Sequence, residues 1–199
     1  MVYVMMTMKM MIISDTHDNI PAIRKILGIV NRTNPDLIIH CGDYISPFTI
    51  SEFIRSGVKM IGVWGNNDGD KPTILSRIKD TDINIYPQPY IAKIGNINIF
   101  ICHGWGSIEK TKKLVYSLAK QEVGDIVVYG HIHSPDISLI KTNEVVHDIC
   151  RIGQTVELNR EDFKTLIINP GEVCGYLSGT KSYVLMEINE RIKVSLCSI

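Results

Sequence analysis

The stretch that decides the fold runs from residue 10 to residue 18 and reads Met-Met-Ile-Ile-Ser-Asp-Thr-His-Asp. Its first half is a continuous apolar run, which is typical of a strand buried on both faces of a sheet. Its second half places Asp15 and His17, two side chains that can bind a metal ion, directly after that strand. Asn19 and Pro21 follow, and a capping side chain with a proline in the first turn predicts the start of a helix.

The same arrangement recurs along the chain. The apolar runs 37–40, 58–64, 96–102 and 125–129 are predicted strands, and they are followed by Asp43, Asn66, His103 and the pair His131 and His133. Helical spacing or capping residues predict helices after residue 18 and at 47–55, 73–79 and 107–120. Because strands and helices alternate, the sequence predicts an α/β fold with right-handed crossovers. Ligands of open α/β sheets bind beyond the carboxyl ends of the strands, so we expect these side chains at one edge.

The second half of the chain predicts more strands than helices. Short strands are expected at 83–86 and 90–94, and later strands at 137–141, 144–149, 165–169, 182–188 and 193–197. Residues 150–164 are polar and poorly periodic, which predicts a loop, a hairpin or an insertion. Two layers of sheet flanked by helices are therefore expected.

Length and composition predict one domain over residues 1–199, a chain long enough to bury a substantial core. Residues 1–8 are treated as an extension, because Met8 would serve as a start as well as Met1. The formal net charge is zero, with 21 basic and 21 acidic residues, which disfavours broad electrostatic capture of nucleic acid.

The compartment is predicted from apolar runs and cysteines. No uncharged apolar run approaches the roughly 18 residues of a membrane span, so no membrane association is expected. The number of cysteines, five, is odd and no Cys-x-x-Cys pair occurs, which favours a reducing compartment. We therefore expect a cytoplasmic protein.

The residue types at the strand ends favour a centre of two divalent ions. Carboxylates can bridge two ions, and imidazoles bind Mn, Fe, Co, Ni and Zn. Two such ions activate water and neutralise the charge of a phosphate ester. The set contains no cysteine, which disfavours a structural zinc site. Each piece alone is weak, since Gly42-Asp43 by itself is an ordinary turn; the prediction depends on their joint occurrence after strands.

These motifs resemble those of the calcineurin-like metallophosphoesterase superfamily. The motifs are Asp15-Thr16-His17, Gly42-Asp43, Gly65-Asn66-Asn67-Asp68, His103-Gly104 and Gly130-His131-Ile132-His133. Further detail, including Asn169-Pro170-Gly171-Glu172 and Cys174-Gly175-Tyr176-Leu177, is similar to the small bacterial and archaeal phosphodiesterases of that superfamily. The resemblance covers residues 9–199.

The resemblance implies a four-layer α/β/β/α sandwich with two mixed sheets and a dinuclear metal centre. One ion would be held by Asp15, His17 and His133, the other by Asn66, His103 and His131, and Asp43 would bridge them. A hydroxide bridging the ions would attack phosphorus in line. Mn or Ni are the favoured ions, with Fe, Co and Zn as alternatives.

One position departs from the pattern of many members of the superfamily. They carry a histidine directly after the metal-binding asparagine, where it contacts phosphate and protonates the leaving group. Here that residue is Asn67, which can donate a hydrogen bond but cannot act as an acid near neutral pH. Asn67 and Asp68 are the candidate catalytic residues, and Asp68 is expected to orient a ligand by hydrogen bonding.

The sequence leaves alternatives to a phosphodiesterase open. The chain could be a binding scaffold of the same fold, or a phosphomonoesterase or nucleotidase. The expected partner is a small phosphate ester, and a homo-oligomer stays open. His40 is either a hydrogen-bonded core residue or a support for the metal ligands, and His147 is expected on the surface.

Overall fold

The computed structural model describes residues 7–142 and 144–199. The helices are α1 (Ile20–Thr33), α2 (Pro47–Ser56), α3 (Lys71–Ile78) and α4 (Ile108–Lys120). The strands are β1 (Met8–Ile13), β2 (Leu37–His40), β3 (Met60–Val63), β4 (Ile83–Tyr86), β5 (Tyr90–Ile94), β6 (Ile97–Ile101), β7 (Ile126–Val128), β8 (Pro135–Ile140), β9 (Val145–Val146), β10 (Gln154–Asn159), β11 (Thr165–Pro170), β12 (Ser182–Ile188) and β13 (Arg191–Ser198). Among the helices of these two ranges, none combines the length and the apolar character needed to cross a bilayer.

Two mixed sheets face each other. The first has the order β10-β13-β12-β1-β2-β3-β4, and the second has the order β5-β6-β7-β11-β8-β9. Strands β1 to β4 are parallel to one another, and so are β6, β7 and β11. Apolar side chains from both sheets, such as Met10, Ile39, Ile101 and Ile168, fill the layer between them.

Helices cover the outer face of each sheet. Ile23 of α1, Phe53 of α2 and Ile74 of α3 belong to one apolar cluster with Met11 and other residues of the first sheet. On the other side, α4 buries Val115 and Ala119 against the second sheet. The predicted four-layer α/β/β/α sandwich with two mixed sheets is confirmed.

The helix starts follow the predicted capping chemistry. The Asn19 side chain accepts a hydrogen bond from the Ala22 N–H at 3.2 Å, and Pro21 lies in the first turn of α1. Ser107 caps α4 by accepting from the Lys110 N–H at 3.3 Å. Both caps satisfy backbone donors that a helix N-terminus leaves without partners, and both hold a helix directly after a loop of the candidate site.

Two details differ from the sequence-based expectation. Residues 150–164 are not a plain loop, because strand β10 lies within them and pairs with β13 at the edge of the first sheet. Half-buried Val156 and Leu158 alternate with exposed neighbours, which is the period of a strand, but the pattern is weak because only these two positions are apolar. Met8 is part of β1, opposite Ile188, and not an extension; residues 1–6 lie outside the described part of the chain.

Candidate metal centre

The predicted side chains meet because the strands turn sharply at their carboxyl ends. Asp15, His17, Asp43, His131 and His133 all have a positive φ, between 42° and 70°. Residues other than glycine adopt this left-handed conformation at a cost of order 1–3 kcal/mol each, and such residues cluster at functional sites. The turns point the side chains over the edge where the two sheets meet.

The first cluster is formed by Asp15, His17 and His133. Oδ1 of Asp15 lies 3.6 Å from Nε2 of His17 and 3.4 Å from Nε2 of His133. The other carboxylate oxygen of Asp15 accepts a hydrogen bond from the His131 N–H at 3.1 Å, which joins the end of β1 to the loop after β7.

The second cluster is formed by Asn66, His103 and His131. Nε2 of His103 lies 3.0 Å from Oδ1 of Asn66 and 3.3 Å from Nδ1 of His131. All three atoms can donate an electron pair to a metal ion. The two clusters are the two sets of ligands that the resemblance to the superfamily implied; their role as ligands stays a prediction.

Asp43 lies between the clusters. Its Oδ2 is 3.3 Å from Nε2 of His17 in the first cluster and 3.3 Å from Nε2 of His103 in the second. Burial alone raises the pKa of this carboxyl, but hydrogen bonds and charge from His103 and the hydrogen bonds from Asn67 outweigh it and hold the pKa well below its usual range. A carboxylate that stays ionised suits a bridging position.

Asn67 contacts Asp43 directly. Its backbone N–H donates to Oδ1 of Asp43 at 2.9 Å, and its side-chain Nδ2 donates to Oδ2 at 2.8 Å. The side chain that was expected to reach a phosphate therefore holds the shared carboxylate in this structure.

Asp68 and His40 stabilise the loops that follow β1, β2 and β3 by hydrogen bonds. The Asp68 carboxylate accepts hydrogen bonds from the backbone N–H groups of Asp43, Ile45 and Gly65, at 3.2, 2.8 and 2.7 Å. Buried His40 accepts from the Gly42 N–H at 3.1 Å, and its Nε2 lies 3.1 Å from the Thr16 hydroxyl. Burial lowers the pKa of His40 to about 3, so it is neutral. His40 thus satisfies both readings of the sequence, as a hydrogen-bonded core residue that also supports the site.

Three histidines are oriented by acceptors on their far side. Nδ1 of His103 donates to the Cys41 carbonyl at 2.8 Å, and Nε2 of His131 donates to the Gly106 carbonyl at 2.6 Å. Nδ1 of His133 lies 2.6 Å from a carboxylate oxygen of Glu172. A carbonyl or carboxylate can only accept, so each of these nitrogens carries a proton. The other nitrogen of each ring faces the cluster, where it can bind a cation once it is deprotonated.

Glu172 lies against the centre, and the sequence analysis gave it no role beyond membership of a motif. Its side chain is fully buried, and it accepts hydrogen bonds from the backbone N–H groups of Tyr176, Leu177 and Ser178 as well as facing His133. Burial raises its pKa, but hydrogen bonds, from Cys174, His133 and Ser178 among others, outweigh it and lower the pKa to about 2. The local sequence does not predict its contact with His133, because a single glutamate after Asn-Pro-Gly is not a recognisable pattern.

Cys174 lies beside the first cluster. Its Sγ can approach His17 and His133 closely enough for a shared ion. However, the thiol donates a 2.9 Å hydrogen bond to Glu172. Burial and the Glu172 carboxylate raise the pKa of Cys174 to about 12, so it stays protonated and is a poor ligand.

The clusters fit a pair of divalent ions on two grounds. Oδ1 of Asp15 and Nε2 of His17 are buried and have no hydrogen-bond partner, a costly state that a cation between them would relieve. The donor set also combines carboxylate, amide and imidazole groups, which suits first-row transition metals.

The chain resembles known proteins over most of its length. The sequence profile described as the calcineurin-like phosphoesterase superfamily domain matches residues 8–191. The chain is 33% identical to phosphodiesterase MJ0936 of Methanocaldococcus jannaschii, over 92% of this chain and 95% of that protein. Among solved structures, a novel archaeal phosphodiesterase superposes with a TM-score of 0.68 at 29% identity and covers 96% of this chain and 100% of its own.

More distant structures share the fold. Yfce, a phosphoesterase from E. coli, is 20% identical with a TM-score of 0.58 and covers 89% of this chain and 87% of its own. Vps29 of Chaetomium thermophilum is 12% identical with a TM-score of 0.63 and covers 96% of this chain and 97% of its own. At this level of identity the likeness extends to the arrangement of helices and strands.

Proposed function

The chain belongs to the calcineurin-like phosphoesterase superfamily, as its motifs predicted, and on that premise we propose that it hydrolyses small or exposed phosphodiesters. It is a hydrolase by family, and the finer choice of a diester is supported by its 33% identity to an archaeal phosphodiesterase. The observation that carries the proposal is the pair of clusters that share Oδ2 of Asp43.

Each cluster would hold one ion. Asp15, His17 and His133 would bind the first, and Asn66, His103 and His131 the second, with Asp43 between them. When bound, two divalent ions lower the pKa of a water molecule and neutralise the negative charge of the phosphoryl group. Oxygen and imidazole ligands suit divalent first-row transition metals. Among these we propose Mn or Ni as the natural ions, with Fe, Co or Zn as alternatives.

The protein's own residues prepare this chemistry. Hydrogen bonds from His103 and Asn67 keep the Asp43 carboxyl ionised, and the Asn67 side chain holds the carboxylate in its position. Asp68 ties the loop after β2 to the loop after β3, so that Asp43 and Asn66 keep their distance. Nδ1 of His103 donates to the Cys41 carbonyl at 2.8 Å, which orients the imidazole toward the centre.

The residues of this site do not include an evident acid that could protonate the leaving group. Asn67 cannot donate a proton, and its amide already donates to Asp43. Diesters with acidic alcohols or phenols as leaving groups need no general acid, so they are the expected good substrates. Unactivated alkoxides are expected to leave slowly.

The compartment and the class of substrate are proposed from the cysteines and the net charge. All five cysteines are free, which supports our placing the protein in the reducing cytoplasm. Its formal net charge of zero supports a small organic phosphate rather than a nucleic acid as substrate.

A panel of phosphate esters tests the proposal. Protein stripped with a chelator and reloaded with Mn, Ni, Co or Zn is assayed with matched chromogenic mono- and diesters. The proposal expects metal-dependent turnover that favours the diester. A preference for the monoester would make the protein a phosphomonoesterase, and stoichiometric metal binding without turnover of any ester would make it a binding scaffold; either result overturns the proposal.

A further inference from the structure

The two clusters are not equally charged. The first contains the Asp15 carboxylate, and its His133 is backed by the Glu172 carboxylate at 2.6 Å. The second contains a neutral amide, Asn66, and its histidines are backed by neutral backbone carbonyls of Cys41 and Gly106. Asp43 is common to both. The first cluster therefore has two more negative groups within reach of a cation than the second.

Glu172 is held as a carboxylate by an unusual number of donors. Oε1 accepts from the Ser178 N–H at 2.6 Å, the Ser178 hydroxyl at 2.7 Å and the Leu177 N–H at 3.0 Å. Oε2 accepts from the Cys174 thiol at 2.9 Å and the Tyr176 N–H at 3.0 Å, and it faces Nδ1 of His133. Every direction around the buried carboxylate is taken by a donor, so its position is fixed whether or not an ion is bound.

The carboxylate also selects the tautomer of His133. With the proton on Nδ1, the Nε2 atom has its lone pair free, and it points toward Oδ1 of Asp15, 3.4 Å away. A carboxylate on the far side makes an imidazole a stronger ligand than a carbonyl does, and such outer partners typically change metal affinity by about 10- to 100-fold.

We propose that Glu172 is a positioning residue that makes the cluster of Asp15, His17 and His133 the tighter of the two metal sites, so that the ions bind in a fixed order. This inference rests on the proposed function, because it concerns the ions that the hydrolysis needs. The cluster of Asn66, His103 and His131 fills second, and its occupancy sets the concentration of metal at which the protein becomes active.

Calorimetric titration of the chelator-treated chain with Mn²⁺ tests the proposal. The wild type should bind two ions in two resolved steps. Glu172→Gln should weaken the tighter step by about 10- to 100-fold and leave the weaker step nearly unchanged. Glu172→Asp, which keeps the charge, should restore part of the loss. Asn66→Ala identifies the steps, because it should remove the weaker one.

Leu177→Ala is the matched control. It truncates an exposed side chain of the same loop, but it keeps the Leu177 N–H that donates to Glu172 and the carboxylate beside His133. Both binding steps should match the wild type. If Leu177→Ala weakens binding as much as Glu172→Gln does, or if Glu172→Gln weakens both steps equally, the role of Glu172 is that of a general loop support and the proposal is wrong.

A second measurement needs no variant and covers the case that Glu172→Gln does not fold. Long-range ¹H–¹⁵N spectra of the metal-free wild type at mildly alkaline pH should show His133 with a protonated Nδ1 and an unprotonated Nε2. The opposite tautomer would overturn the proposal. If the wild type binds both ions and cleaves diesters while Glu172→Gln binds ions like the wild type, the proposed function stands and only this inference fails.

Discussion

Nδ2 of Asn67 donates a 2.8 Å hydrogen bond to Oδ2 of Asp43, the oxygen that lies between the two clusters. The position that carries an acid in many relatives is thus occupied here by a side chain that holds the shared carboxylate. The sequence suggested two separate properties, a bridging role for Asp43 and a missing proton donor at Asn67. The hydrogen bond links them, because the side chain that replaces the acid holds the Asp43 carboxylate.

Asn67→His should introduce a general acid. General acids accelerate suitable steps by about 10²–10⁴-fold, and the benefit is largest for leaving groups with a high pKa. We therefore expect the variant to raise kcat for alkyl diesters more than for nitrophenyl diesters. Asn67→Gln serves as the control, since it retains an amide. An equal change for both classes of substrate would refute the missing-acid argument.

Gly65 should tolerate no side chain. A Cβ at this position would lie 2.2 Å from Oδ1 of Asp43 and 2.5 Å from its backbone nitrogen. Gly65→Ala must therefore displace the shared carboxylate, and Mn²⁺ affinity should fall by at least about 10-fold, as it does on loss of an outer partner.

Gly28→Ala is the control for that change. Gly28 lies within α1, and a Cβ there would meet only the Arg32 side chain at 3.8 Å. It should leave metal binding unchanged and stabilise the fold by about 0.5–1 kcal/mol, measured by thermal unfolding. Normal metal binding by Gly65→Ala would show that Asp43 does not need its observed position.

Tyr176 should contribute to substrate binding at the rim of the centre. The residue is 61% exposed, its ring centroid lies 6.4 Å from that of His17, and it belongs to the loop that Glu172 anchors. An aromatic contact is worth about 0.5–1.5 kcal/mol, so Tyr176→Ala should raise KM for aryl diesters by roughly 2- to 10-fold with little change in kcat. Leu75→Ala, an exposed apolar residue of α3, should change neither. A fall in kcat alone would contradict this role.

Acid should destabilise the metal-free protein through Glu172. Its pKa is 4.5 in the unfolded reference and about 2 in the folded protein. A lowered pKa in the folded state gives stability that is complete above the unfolded value and is lost as the pH falls toward the folded value. The free energy of unfolding should therefore drop between about pH 4.5 and pH 2, and Glu172→Gln should show a flatter dependence there in denaturant titrations followed by circular dichroism. Equal slopes would show that Glu172 does not keep a lowered pKa in the folded protein.

Much of the fold and most of the candidate site could be predicted because the signals are local. Buried parallel strands have unbroken apolar runs, and Asp15, Asp43 and His103 follow such runs by only a few residues. The order of motifs then indicated which side chains would meet.

The remaining features depend on contacts between distant residues. Glu172 faces His133 across 39 positions of sequence, and no local pattern marks such a pair. Strand β10 is an edge strand whose exposed face makes its alternation weak. The left-handed backbone of Asp15 and His131 is imposed by the loops around it, against the preference of those residues.

The most direct test of the central claim is the number of Mn²⁺ ions bound per chain, measured together with diester turnover, for the wild type and Asp43→Asn. The account predicts two ions and metal-dependent turnover for the wild type. For Asp43→Asn it predicts weaker binding of both ions and a loss of turnover of more than about 100-fold, beyond the effect of losing an outer partner. Two tightly bound ions and near-normal turnover in Asp43→Asn would contradict a centre built around that shared carboxylate.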